Sequence, residues 1–196
     1  MNIIETNFNY RWPPIPLNLD AVQYIVIHHT AWIDGTPQMI HDDVLADPAK
    51  KNWAGFPYNE MIMKDGTVYI GRGDNQGAHA EGYNKESYGI ACEGDFNLQV
   101  FMLADQYISL IERVKYHKKR FPQAQIVLHR DLNKTDCPGR YFPADIKIDG
   151  TPHWAEPAFD YLINHGIKIN EQNFEKPMTR GEVFTLLARA LGYKEE

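Results

Sequence analysis

The sequence predicts an α/β protein: a central mixed β-sheet flanked by helices, followed by a small C-terminal helical unit. Three observations carry this. β-branched runs of strand length, "YIVIHHT", "YGIACEG" and "AQIVLH", alternate with segments of helical apolar spacing. Asp65-Gly66 divides "YNEMIMKDGTVYIGR" into two strand-like runs, the signature of a hairpin. After about residue 150 the pattern becomes purely helical.

The elements follow in order. Residues 1 to 19 are polar and proline-rich and read as an extended arm laid over the domain surface. "YIVIHHT" is the first buried strand, and a helix is expected from Thr36 to Ala49. The Asp-Gly hairpin and the strand "YGIACEGDF" come next. From Leu103 to Arg120, apolar residues at Leu103, Tyr107, Leu110, Ile111 and Val114 recur at helical spacing, and Pro122 stops the helix. The basic run Lys118-Lys119-Arg120 then falls in a last turn, where it answers the helix dipole. "AQIVLH" supplies the last central strand. Residues 1 to 148 form one domain on this reading, and 149 to 196 a second unit. In that unit Trp154, Ala158, Phe159 and Leu162 line one amphipathic helix, and Thr179 with Glu182 forms a capping box for another.

At 196 residues the chain can bury a sizeable core without staples. Its 20 basic and 26 acidic residues, net -6, argue against a nucleic-acid partner. No stretch of about 18 apolar residues exists to span a membrane. The start "MNIIETNFNYRWPPIP" lacks the basic and apolar regions of a signal peptide. With only Cys92 and Cys137, no disulfide framework holds the fold, and Cys92 inside "YGIACEG" reads as a small core hydrophobe.

Of the eight histidines, His41, His117, His153 and His165 fall on predicted helices or their ends and read as structural or solvent-facing. His28 and His129 each close an apolar strand, where an imidazole needs a polar partner or a metal. A strand-end histidine is commonly a satisfied core residue. Two of them at neighbouring strand ends, with Cys137 on the loop leaving the second, could instead converge as three donors. Three protein ligands with a fourth position open is the arrangement of a catalytic zinc.

"IVIHHTA", "PYNEMIMKDGTVYIGRGD", "GAHAEGYNKESYGIACEGDF" and "LHRDLNKTDCPGR" resemble, in order, the blocks of the zinc-dependent N-acetylmuramoyl-L-alanine amidases of the phage T7 lysozyme and peptidoglycan-recognition-protein type. The resemblance covers about residues 20 to 145. It implies the amidase fold and one Zn2+ per chain on His28, His129 and Cys137. It further implies Tyr58 and Thr135 as catalytic residues, with His79 and Asn84 binding substrate. Thr135 stands where phage-type members carry lysine and amidase-active recognition proteins carry threonine. The implied reaction is hydrolysis of the amide between N-acetylmuramic acid and the stem peptide's L-alanine, with water activated by the metal. Asp74 departs from the tryptophan usual after "GRG". Glu60 departs from an apolar residue, and Ala91 from a glutamate of another branch. Glu60 and Glu93 stand as candidates for the proton relay.

"HWAEPAFDYLINHGIKI" and "MTRGEVFTLLARALG" resemble one S-layer-homology motif, which implies a contact with cell-wall polysaccharide through residues 152 to 193. Together with the missing export signal, the expected protein is a phage or prophage endolysin, held in the host cytoplasm before release and acting at the bacterial wall. The alternatives are a bacterial autolysin and a protein that binds or anchors to peptidoglycan without cutting it.

Overall fold

The computed structural model describes residues 1–99 and 102–143. The helical unit expected at 149 to 196, with His153 and His165, lies outside the described residues. Six strands form one mixed sheet in the order β1-β4-β3-β5-β2-β6. They are β1 (Ile3–Glu5), β2 (Tyr24–His29), β3 (Glu60–Ile62), β4 (Val68–Ile70), β5 (Ser87–Cys92) and β6 (Gln125–Leu128). Among the described residues three α-helices accompany them: α1 (Pro37–Ala46), α2 (Ala104–Arg120) and the single turn α3 (His129–Leu132). Among these strands only β3 and β4 pair antiparallel, around the expected Asp65-Gly66 turn. Gly66 has φ +80, and an added Cβ would meet the Asp105 carbonyl oxygen at 2.7 Å, so both conformation and space require glycine.

Register divides the sheet into two faces. Ile25, Ile27, Tyr88, Ile90, Cys92, Ile62, Ile126 and Leu128 share one side and pack with Tyr107, Leu110 and Val114 of α2 in the main core. Cys92 is thus the core hydrophobe expected. Val26, His28, Gly89, Ala91 and Met61 point to the other side, where a smaller cluster joins Met61 to Ile40 of α1 and to Phe56.

α1 starts one residue after Thr36, whose hydroxyl accepts from the Met39 N–H at 3.2 Å, and Pro37 fills the first turn at no hydrogen-bond cost. The basic end of α2 is more engaged than a solvated terminus. Lys118 Nζ donates to the carbonyls of Pro122 and Ala124, and Arg120 forms a two-oxygen contact with Asp74 at 2.9 and 2.8 Å.

Two expectations change here. The N-terminal arm is no mere surface strap: Ile3–Glu5 adds a parallel strand to β4, and Phe8 and Tyr10 pack on the small cluster. His129 does not close a strand. Asp131 Oδ2 accepts the Leu128 N–H at 2.8 Å, and the chain turns into α3 at His129.

Candidate active site

The second face of β2 carries His28 to the C-terminal ends of three parallel strands, beside the loops that follow β2, β5 and β6. His28 and His129 have ring centroids 4.4 Å apart, and His28 Nδ1 lies 3.6 Å from Cys137 Sγ. One donor atom from each of His28, His129 and Cys137 falls within 4.8 Å of the others. The three residues expected to converge therefore do.

Each donor is held from behind. His28 Nε2 meets His79 Nδ1 at 3.0 Å, and with Nδ1 turned to sulfur this contact assigns the proton to Nε2. His129 Nε2 meets Asn133 Oδ1 at 3.2 Å, one helical turn on. Cys137 Sγ accepts the His29 N–H at 3.4 Å, and the Cys137 carbonyl accepts the Arg130 N–H at 3.0 Å. His29 itself is structural. Its Nδ1 accepts the Phe96 N–H at 3.1 Å, so the nearby Asp95, at 3.8 Å, is not an ion-pair partner of that nitrogen.

The electrostatics favour neutral imidazoles. Burial first, then the neighbouring histidines, holds His28 well below its usual range. Burial likewise takes His79 down to about 3, with His129 and Arg72 adding to it. Burial lowers His129 against the opposing bond from Asn133. It also pushes the Cys137 thiol up to about 12, which the His29 N–H and Arg130 only partly offset. A divalent cation among these donors would reverse that, because coordination deprotonates a thiol.

Tyr58 stands at 5.3 Å, ring to ring, from His28, and its hydroxyl is 3.5 Å from the His29 carbonyl. Burial raises its pKa, as does Cys137, so the phenol keeps its proton. Thr135 Oγ1 accepts the Cys137 N–H at 3.2 Å. His79 fits against the sheet only because residue 89 is glycine: a Cβ there would meet its ring at 2.6 Å. Asn84 acts mainly on the loop, its Oδ1 accepting the N–H groups of His79 and Ala80 at 2.9 and 3.0 Å.

Two adjoining cavities, of about 650 and 410 Å³, form a groove over these residues. His79, His129, Thr135, Ala78 and Trp53 line both. Tyr58, His28 and Cys137 line the smaller one, and Asn84, Glu81 and Lys134 the larger. Ala31, beside the smaller cavity, takes φ +58, a left-handed turn uncommon for a residue with a Cβ. The Thr30 hydroxyl braces it, accepting from Trp32 N–H and Gly94 N–H.

Neither relay candidate lines the two cavities. Glu60 faces α2, fully buried, and bonds Arg113, His117 and the Tyr88 hydroxyl. Glu93 is buried too, not a surface charge, and its Oε2 accepts the Lys64 N–H at 2.9 Å. Asp74, paired with Arg120, holds the end of α2. Sequence reasoning missed Trp53 and Asn133. The i,i+4 spacing of His129 and Asn133 was a usable signal; nothing local marks Trp53.

Fold and site together define an α/β domain with an open three-donor centre at the floor of a ligand-sized groove. The chain belongs to the N-acetylmuramoyl-L-alanine amidase family, whose profile matches residues 18–140. It is similar to peptidoglycan-recognition protein SC1a/b of Drosophila simulans, 31% identical over 150 residues that cover 68% of this chain and 76% of that protein. Its fold is similar to the endolysin N-acetylmuramoyl-L-alanine amidase LysCS of Clostridium intestinale, with TM-score 0.63, 29% identity, and 85% and 97% of the two chains covered. Peptidoglycan recognition protein-LE, solved in complex with tracheal cytotoxin, a monomeric diaminopimelic acid-type peptidoglycan, gives TM-score 0.61 and 28% identity over 70% of this chain and 88% of that one. Among the described residues no helix is long and apolar enough to cross a membrane.

Proposed function

We propose that this protein is a peptidoglycan hydrolase that cleaves the amide between N-acetylmuramic acid and L-alanine, acting as a phage or prophage endolysin at the bacterial wall. One observation carries the reading. Tetrahedral bonds of about 2.1 Å to nitrogen and about 2.3 Å to sulfur would put those donors about 3.6 Å apart. His28 Nδ1 and Cys137 Sγ stand 3.6 Å apart, with His129 beside them and a groove above. The donor set fits zinc, held by His28, His129 and Cys137, with one position left open. Bound there, zinc would supply Lewis acidity, polarising a carbonyl and lowering the pKa of water from about 16 to about 7.

The chain's own residues do the rest. His79 and Asn133 fix the rings of His28 and His129, as hydrogen-bonded partners behind metal ligands commonly do. Tyr58, protonated and at the cavity wall, donates toward the oxygen on which negative charge develops as the amide carbonyl is attacked. Thr135 uses its hydroxyl oxygen as acceptor for the Cys137 N–H, so its hydroxyl proton is left to serve the groove. The similarity to endolysin amidases supports lysis as the setting. Similarity to recognition proteins supports muramyl peptide as the ligand, and Cys137 in the donor set favours cutting over binding alone.

The test is product analysis on a bacterial wall suspension. Turbidity should fall as new alanine amino termini appear with no new reducing sugars. New reducing ends without new amines would make the protein a glycosidase and refute the proposal.

A further inference from the structure

Trp53 lines both halves of the groove, yet it sits on a loop with no strand pairing. Within residues 47 to 54 the bonds are local: Trp53 N–H to the Lys50 carbonyl at 2.8 Å, Lys51 N–H to that of Pro48 at 3.3 Å, and Lys50 Nζ to Asp43 of α1 at 2.7 Å. Such bonds hold the loop's own shape. They do not fix it against the sheet.

Beyond the Lys50 contact with α1, the tie to the rest of the domain comes from the N-terminal arm. Arg11 Nη1 donates to the carbonyls of Lys51 and Trp53 at 2.8 and 2.9 Å, and more weakly to that of Lys50 at 3.3 Å. Its other terminal nitrogen donates to the Leu45 carbonyl at 2.8 Å, in the last turn of α1, where a cation also meets the negative end of the helix dipole. The Arg11 N–H bonds the Ala54 carbonyl at 2.8 Å. The arm around it is anchored: Phe8 stacks on His41 at 4.5 Å, and Arg72 lies 4.9 Å over Tyr10. A planar guanidinium with five donors suits this gathering of carbonyls; an ammonium does not.

We infer that Arg11 is a positioning residue for the substrate groove, acting through Trp53: the arm's guanidinium gathers the carbonyls of Leu45, Lys50, Lys51 and Trp53 and sets the tryptophan in the groove wall that Thr135 and His129 also line. The groove's ligand, a muramyl peptide, rests on the functional reading above. The clamp itself does not.

Two measurements on the full chain test it. Hydrogen exchange should show residues 50 to 54 opening about tenfold faster in Arg11→Ala, the scale of one charge-assisted hydrogen bond, with β2 and β5 unchanged and Arg11→Lys intermediate. Calorimetry with a soluble muramyl tripeptide should show Arg11→Ala binding about tenfold more weakly, and Arg11→Ala adding nothing to Trp53→Ala. Unchanged exchange at 50 to 54, or effects of the two substitutions that multiply, would overturn the inference. If the unaltered chain binds no muramyl peptide, the functional reading fails, and the exchange experiment alone decides whether the clamp exists.

Discussion

Replacing Glu60 by Gln separates two roles that one residue could have, a proton relay and a structural charge. Its carboxylate, without solvent access, accepts from Arg113 Nε at 2.8 Å, His117 Nε2 at 2.7 Å and the Tyr88 hydroxyl at 2.9 Å. Burial alone would raise its pKa, but the bonds from His117 and Arg113 outweigh burial and hold it at about 2. Burial lowers the pKa of His117 against the opposing pull of Glu60, while the Arg113 guanidinium sets a full positive charge beside the carboxylate. The gap between 4.5 and about 2, at about 1.36 kcal/mol per pH unit, makes the charged carboxylate worth about 3 kcal/mol. Removing one member of a buried pair costs about 3–5 kcal/mol, so the two routes agree. A lowered carboxylate stabilises fully above its unfolded pKa, so this contribution holds above pH 4.5 and is lost as pH falls to about 2. Glu60→Gln should therefore melt about 10 °C lower at neutral pH and show a flatter acid limb. Its kcat on muramyl peptide, measured well below melting, should stay within about twofold. Thermal melts across pH with parallel kinetics decide this: a large fall in kcat with little change in melting would restore Glu60 as relay and refute the argument.

Cys137→Ser should leave the fold intact, since the side chain is at the groove rather than in the core, but abolish stoichiometric zinc. Elemental analysis of the purified variant with zinc still near one per chain would remove the sulfur from the donor set. Tyr58→Phe keeps the ring against His28 and removes only the hydroxyl. It should lower kcat on the order of 100-fold with KM and zinc content nearly unchanged, and a rate equal to that of the unaltered chain would show that the phenol is not a donor to the reacting group.

What the sequence revealed and what it hid divide by range. The strands of the sheet centre and the Asp65-Gly66 turn were legible because alternation and turn chemistry are local signals. His28 and Cys137 stood out because a polar residue closing a buried strand, and a cysteine on the loop next to such a strand, each need a partner, but only the resemblance to the amidase blocks singled them out as ligands. His129 was placed correctly in space but assigned to a strand end, since only the capture of the Leu128 N–H by Asp131 tells the chain to turn one residue earlier. The short β1 hid in a polar arm because its pairing with β4 lies 65 residues away in register, Ile3 against Val68. Glu60 looked like a misplaced charge near the tyrosine, because two of its three partners, Arg113 and His117, are 53 and 57 residues downstream on α2.

Glu60 and Tyr58 also show how one sheet keeps stability and chemistry apart. Side chains alternate across a strand, so Glu60, in register with Ile90, must face α2, while Met61 and the paired Ala91 and His28 lie on the other side of the sheet, where His28 reaches the groove. Tyr58, two residues earlier, escapes that alternation because it precedes the strand, in a segment pinned by Asn59. The Asn59 amide donates to Gly73 and Asn75 carbonyls at 2.7 and 2.8 Å, and its oxygen accepts the Gly89 N–H at 2.8 Å. Asn59 thus joins the start of β3 to β5 at the very glycine that makes room for His79. The Glu60–Arg113 pair is sealed behind the sheet with α2, on the side away from the groove. The imidazoles, thiol and phenol stand in front, His28 on the end of β2, His129 in α3, and Tyr58, His79 and Cys137 on the segments between elements.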